Sequence, residues 1–123
     1  FRDVVNISQN RATSAGIDES FAYGVRGYGC NDSNFQKWNV HVYNDATRQL
    51  RSLATGRCLD DSLQYGLRTY GCNNSEFQSW YVETIGRNLI SLSNQATGRC
   101  LDDSHEYGLR TYACHTSNYQ AWS

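Results

Sequence analysis

The sequence predicts an all-β domain built from three copies of one unit, and three observations carry that prediction. The stretch "ATGRCLDDSLQYGLRTYGCNNSEFQSW" (54–80) returns as "ATGRCLDDSHEYGLRTYACHTSNYQAW" (96–122), with 19 of 27 positions identical. Trp38, Trp80 and Trp122 are evenly spaced, 42 residues apart. Segments such as "QSWYVE" and "LRTYGC" gather β-formers between Gly, Asn, Asp and Ser turns, and proline is absent. Short strands separated by turns fit this pattern, and a sustained helical period is missing. A fixed period of this length means that the fold is assembled from repeated supersecondary units.

Taken in order, the first copy (1–41) is the most diverged. Its "ATSAGIDESFAYGVRGYGCNDSNFQKW" keeps Asp18, Ser20, Tyr23, Gly24, Arg26, Tyr28, Cys30, Gln36 and Trp38. The second copy (42–83) and the third (84–123) carry the full pattern, and the three together account for one domain, 1–123. Three units can stack openly or close into a ring. Closure is expected, because it leaves no terminal repeat and no bare sheet edge. Trp38, Trp80, Trp122, Ile17, Leu59 and Leu101 are the expected core.

Four cysteines follow the same period. Cys58 and Cys72 are 14 apart, as are Cys100 and Cys114. Neither spacing is that of a C-x-x-C zinc site. Two disulfides within copies are expected, Cys58–Cys72 and Cys100–Cys114, and they point to an oxidising, extracellular compartment. Cys30 has no counterpart, since Gly16 stands at its partner position. Its expected state is a buried free thiol; the alternative is a link to another chain.

Eleven basic residues nearly balance twelve acidic ones, with no run of like charge, so nucleic acid is not an expected partner. No apolar run is long enough for a membrane-spanning helix. The chain begins at Phe1 without a methionine or a leader-like segment, which reads as a mature secreted chain or a domain from a longer protein.

Each copy ends in Gln-x-Trp ("QKW", "QSW", "QAW"), and two carry "TGRCLD" upstream. Over its whole length the chain thereby resembles the ricin B-chain-type β-trefoil lectins, including their bacterial carbohydrate-binding modules. The resemblance implies a β-trefoil: twelve short strands, with a six-stranded barrel capped by three hairpins. It also implies up to three shallow sugar sites and glycans as partners. Asp18, Asp60 and Asp102 match the family aspartate that accepts hydrogen bonds from two sugar hydroxyls, a task for which an ionised carboxylate has the acceptor capacity. Tyr28, Tyr70 and Tyr112 match its stacking aromatic, a ring suited to the apolar C–H face of a sugar. Asn31, Asn73 and His115 match a hydroxyl-binding position. Arg26, Arg68 and Arg110 lie two residues before the tyrosines, on the same strand face, and either bond hydroxyls or orient the aspartate. Gln36, Gln78 and Gln120 are expected behind the site, holding the aspartate or the loop. Tyr23, Tyr65 and Tyr107 are either an outer wall of each pocket or a cover for the barrel. The ligand implied is galactose-type or mannose-type.

Catalysis is not expected. A glycosidase needs two carboxylates facing one bond, whereas the adjacent acids Asp18–Glu19, Asp60–Asp61 and Asp102–Asp103 would point to opposite faces of a strand. His41, His105 and His115 show no metal or triad spacing, so no metal or cofactor is expected. The expected molecule is a monomeric, multivalent secreted lectin module. The alternatives are a targeting domain of a larger hydrolase or toxin, or a β-trefoil that binds protein only. In the lectin reading, alanine at Asp18, Asp60 and Asp102 removes the sites without unfolding the domain.

Overall fold

A computed structural model describes residues 4–6 and 9–123. Eleven strands run among the described residues: β1 (Val4–Asn6), β2 (Ala15–Ser20), β3 (Gly24–Gly29), β4 (Lys37–Val42), β5 (Arg48–Ser52), β6 (Cys58–Ser62), β7 (Gly66–Tyr70), β8 (Trp80–Gly86), β9 (Leu89–Asn94), β10 (Cys100–Ser104) and β11 (Gly108–Tyr112). Short 3-10 turns, Asn34–Gln36, Glu76–Gln78 and Asn118–Gln120, precede the Trp of each copy. Antiparallel pairing runs β1–β4–β5–β8–β9, and β2–β3, β6–β7 and β10–β11 form one hairpin per copy. The twelfth strand of the expected β-trefoil is reduced to Trp122, which bridges Ile90 on one side and Asn10 on the other. Arg11 N–H donates to the Ala121 carbonyl and Ser123 N–H to that of Gln9, at 2.9 and 3.0 Å, so the third copy is sewn to the first. The ring is closed.

Each hairpin turns through a glycine in the left-handed region, with φ of 67°, 69° and 70° at Gly24, Gly66 and Gly108. A side chain would be strained there, which accounts for glycine in all three copies.

The core is the expected one. Ile17, Leu59, Leu101 and the three tryptophans are fully buried, joined by Leu50 and Leu92. Each indole N–H donates to a carbonyl 21 residues upstream: Trp38 to Ile17, Trp80 to Leu59 and Trp122 to Leu101, at 3.0–3.2 Å. A buried Trp contributes about 4–6 kcal/mol from apolar area alone, and its polar edge is satisfied inside the same copy. Both expected disulfides, Cys58–Cys72 and Cys100–Cys114, are present. Cys30 is free but exposed, not buried as expected. The position itself is exposed, since Cys72 and Cys114 are exposed too although each is in a disulfide.

The second acid of each pair fastens one copy to the next. Asp61 receives Thr97 Oγ1 at 2.6 Å, Arg99 Nη2 at 2.8 Å and Thr111 Oγ1 at 2.7 Å, all from the third copy. Glu19 receives Thr55 Oγ1 and Arg57 Nε, both at 2.8 Å, from the second. Asp103, facing the first copy, receives Thr13 Oγ1 at 2.5 Å. There Ala15 replaces the arginine and Gly27 the threonine of the other seams. Burial without an arginine raises the Asp103 carboxyl above the ordinary value of 3.8, against the opposing pull of Thr13 and His105.

An acid with a raised folded-state pKa favours folding most when protonated, below about pH 3.8. That advantage is lost as pH rises through the raised value. Ala15→Arg supplies the missing partner for the ionised form. It is expected to stabilise the domain by about 1–2 kcal/mol at pH 7. The gain should shrink as Asp103 is protonated, and urea unfolding at several pH values reads both effects. Equal stability of the two proteins at pH 7 would contradict this account of the seam.

Candidate functional site

The same constellation is built three times, on the outer face of each hairpin. Asp18, Asp60 and Asp102 lie on β2, β6 and β10, directly across the ladder from Arg26, Arg68 and Arg110 on β3, β7 and β11. The arginine Nε faces the aspartate Oδ1 at 3.5, 3.3 and 3.4 Å. The other oxygen, Oδ2, accepts from Nε2 of Gln36, Gln78 or Gln120 at 3.1, 3.0 and 3.1 Å.

The 3-10 turn explains how each glutamine arrives there, since it closes the turn and is directed inward. Its Nε2 also donates to the carbonyl of Gly29, Gly71 or Ala113 at 2.9–3.0 Å. Its Oε1 accepts the backbone N–H of Asn31, Asn73 or His115 at 2.8–2.9 Å. One buried amide thus ties the aspartate, the hairpin end and the following loop together.

Period-two spacing puts each arginine beside the tyrosine two residues on, as expected. The guanidinium carbon lies 4.1 Å from the ring centroids of Tyr28, Tyr70 and Tyr112. It lies 4.3, 4.4 and 4.2 Å from those of Tyr23, Tyr65 and Tyr107. These three tyrosines, whose role the sequence left open, therefore clamp the arginine with the first set. They are held at the hairpin turn, where their backbone N–H groups donate to Ser20, Ser62 and Ser104. Cation–π contacts of this kind stabilise by about 0.5–2 kcal/mol and restrict the arginine.

Two features bear on these expectations. The aspartates are only 1–2% exposed, and each already accepts from two protein groups. About two of their four acceptor positions stay open. The tyrosine faces at 28, 70 and 112 are covered on one side by guanidinium, so that side offers no stacking surface. Asn31 and Asn73 sit at the rim, where their side-chain oxygens accept Ser33 N–H and Ser75 N–H at 3.0 Å and hold the loop. His115 replaces that bond with an approach of Nε2 to Asp102 Oδ2 at 3.7 Å.

In the third copy the constellation borders a cavity of about 420 Å³ lined by Asp102, Tyr107, Arg110, His115, Ser117 and Tyr119. Tyr119 escaped the sequence reading; its position before Gln120, matched by Phe35 and Phe77, was the available clue. Among the described residues no cluster of three His, Cys, Asp or Glu side chains could hold a metal.

The family described as "Ricin-type beta-trefoil lectin domain" matches residues 9–122. No curated protein sequence matches the chain. Among solved structures, the designed 3-fold symmetric protein ThreeFoil superimposes with a TM-score of 0.82 at 19% identity, over 93% of this chain and 92% of its own. The Polyporus squamosus lectin, bound to a human-type influenza-binding epitope, gives 0.83 at 15% identity, over 100% and 49%. The exo-beta-1,3-galactanase 1,3Gal43A from Clostridium thermocellum gives 0.82 at 19% identity, over 93% and 28%. The chain thus spans about half of one relative and under a third of the other. At these identities the likeness is one of fold.

Proposed function

Because the chain belongs to the ricin-type β-trefoil lectin domains, a non-catalytic carbohydrate-binding fold, we propose that it holds glycans at three pockets, one per copy. The observation that carries this reading is the threefold repetition of a costly arrangement. In each copy a buried carboxylate is held by a buried glutamine, and an arginine is clamped between two tyrosines. Such an array is well suited to sugar hydroxyls. The open acceptor positions of Asp18, Asp60 and Asp102 take hydroxyl protons. No hydrogen bond among the described residues engages the Nη atoms of Arg26, Arg68 and Arg110, which are free to donate to hydroxyl oxygens. The exposed edges of Tyr28, Tyr70 and Tyr112, walled by Tyr23, Tyr65 and Tyr107, meet the C–H face. Asn31, Asn73 and His115 complete the rim.

The ligand class is a galactose-type or mannose-type glycan. Each shallow site holds one sugar at about 0.1–10 mM, and three sites on one monomer add avidity on a glycan-coated surface. The two disulfides favour an extracellular setting. A place as the glycan-targeting part of a larger hydrolase is favoured by the 28% share it spans of the galactanase.

The test replaces Arg26, Arg68 and Arg110 together by alanine. These side chains are about one-third exposed but each pairs with a buried carboxylate, so far-UV circular dichroism is recorded beside the binding, and Arg68→Ala alone, read on the second copy, serves if the triple variant does not fold. Retention on a glycan array is expected to disappear. Undiminished binding by the triple variant would sink the assignment of these pockets.

A further inference from the structure

The third copy differs from the second beside its pocket. In the second, side chains cross the space between the β4–β5 hairpin and the loop after Cys72. Tyr43 Oη donates to Asn74 Oδ1 at 3.1 Å, and Gln49 Nε2 approaches the same atom at 3.4 Å. A cavity of about 230 Å³ is left there. The 42-residue step places Ile85, Ser91 and Thr116 at these three positions. Isoleucine has no donor, and serine and threonine are too short to reach across. The bridge is missing, and a cleft of about 900 Å³ lies between the β8–β9 hairpin and the loop after Cys114.

This cleft adjoins the sugar pocket proposed above, since His115 and Ser117 line both. Its walls combine the apolar side chains of Ile85 and Leu89 with the Glu83 carboxylate and the hydroxyls of Ser91, Ser93 and Thr116. Apolar patches beside clustered hydroxyl partners suit pyranose rings. The carboxylate accepts hydroxyl protons and disfavours acidic sugars. The volume lies at the upper end of small-ligand sites, well beyond one ring.

The geometry points to an extended subsite present in the third copy and closed in the second. Resting on the reading of the Asp102 pocket as a sugar site, it takes the second and third units of an uncharged oligosaccharide whose first unit lies at Asp102. The third copy is then the chain-length-selective site, and the second binds single terminal sugars.

Two-dimensional ¹⁵N NMR titration reads each copy separately. The probes are galactose, mannose, β-1,3-galactotriose and α-1,2-mannotriose. Within the third copy, a monosaccharide is expected to move the amides of Tyr107 and Arg110 and not those of Ser91, Ser93 and Thr116. The matching trisaccharide should also move Ser91, Ser93 and Thr116, should leave Gln49, Arg51 and Asn74 in place, and should bind the third copy about tenfold more tightly. Importing the bridge by Ile85→Tyr, Ser91→Gln and Thr116→Asn should abolish the trisaccharide advantage and spare monosaccharide binding; Ser91→Gln alone serves if the triple variant does not fold. Trisaccharide shifts confined to the Asp102 pocket, or an advantage that survives the bridge, overturn the subsite alone. If no probe moves Tyr107 or Arg110, the pocket reading fails and the subsite with it.

Discussion

Replacing Asp18, Asp60 and Asp102 together by alanine is expected to unfold the protein, not merely to silence its sites. Sequence reasoning expected the opposite, because it assigned these carboxylates to the sugar alone. Each is instead buried and accepts from a glutamine that is itself buried. Removing the acceptor leaves one N–H of a buried amide unpaired, at about 1–3 kcal/mol per site. It also takes the ionic partner from an arginine, though that group is partly solvated and its loss adds little. The three sites share no partners, so their costs add to about 3–9 kcal/mol. A domain of this size has about 5–15 kcal/mol in total. Asp60→Ala alone should therefore fold with a lower urea midpoint, and the triple variant should lose its native circular dichroism or stand on the edge of doing so. Asp60→Asn, which keeps an oxygen for Gln78, should cost less than Asp60→Ala. A triple alanine variant within 1 kcal/mol of the parent would show that the carboxylates carry no structural load. The arginines, about one-third exposed, are the better probes of binding.

What could be read in the sequence followed from periodicity. The 42-residue step fixed the number of copies, paired the cysteines and aligned the residues that meet at each site, since Asp60, Arg68, Tyr70 and Gln78 are neighbours within one hairpin and its turn. What escaped lies between copies or depends on depth. Glu19, Asp61 and Asp103 find their partners 36 to 90 residues away, and nothing local in "DDS" or "TGR" announces a seam. The burial of Asp60 depends on Gln78 arriving from the 3-10 turn, which spacing alone does not place in three dimensions. Tyr65 was ambiguous because its role depends on Arg68 lying over its ring. The twelfth strand is short: among the described residues it consists of the Trp122 bridges, flanked by the backbone bonds of Arg11 to Ala121 and of Ser123 to Gln9. The cleft of the third copy was hidden because two of the three substitutions that open it, at 85 and 91, fall outside the conspicuous repeat, in a stretch where the copies diverge.

Restoring the lost cysteine of the first copy should give the largest gain in stability. Gly16 pairs with Tyr28 across the β2–β3 ladder, just as Cys58 pairs with Tyr70 and Cys100 with Tyr112. A Cβ on Gly16 would lie 3.4 Å from Cys30 Sγ, the atom it would need to meet. The same Cβ comes within 3.3 Å of Gln36 Oε1, which is tight. Yet Gln78 and Gln120 make the same three bonds beside a cystine, so the space is obtained by a shift of a few tenths of an ångström. Cys30 is exposed and free to react. Gly16→Cys is therefore expected to oxidise spontaneously to a third disulfide closing a 14-residue span, and to raise the unfolding free energy by about 3 kcal/mol in the chain-entropy account. Non-reducing mass analysis should show no free thiol, and the gain should vanish in reductant. The gain would also reveal what the first copy lost. Its hairpin is the one least tied to its loop, and it borders the seam where Asp103 lacks an arginine. If the bridge forms but stability is unchanged, the first copy is already held by its neighbours, and the weak point of the ring lies at the seam itself.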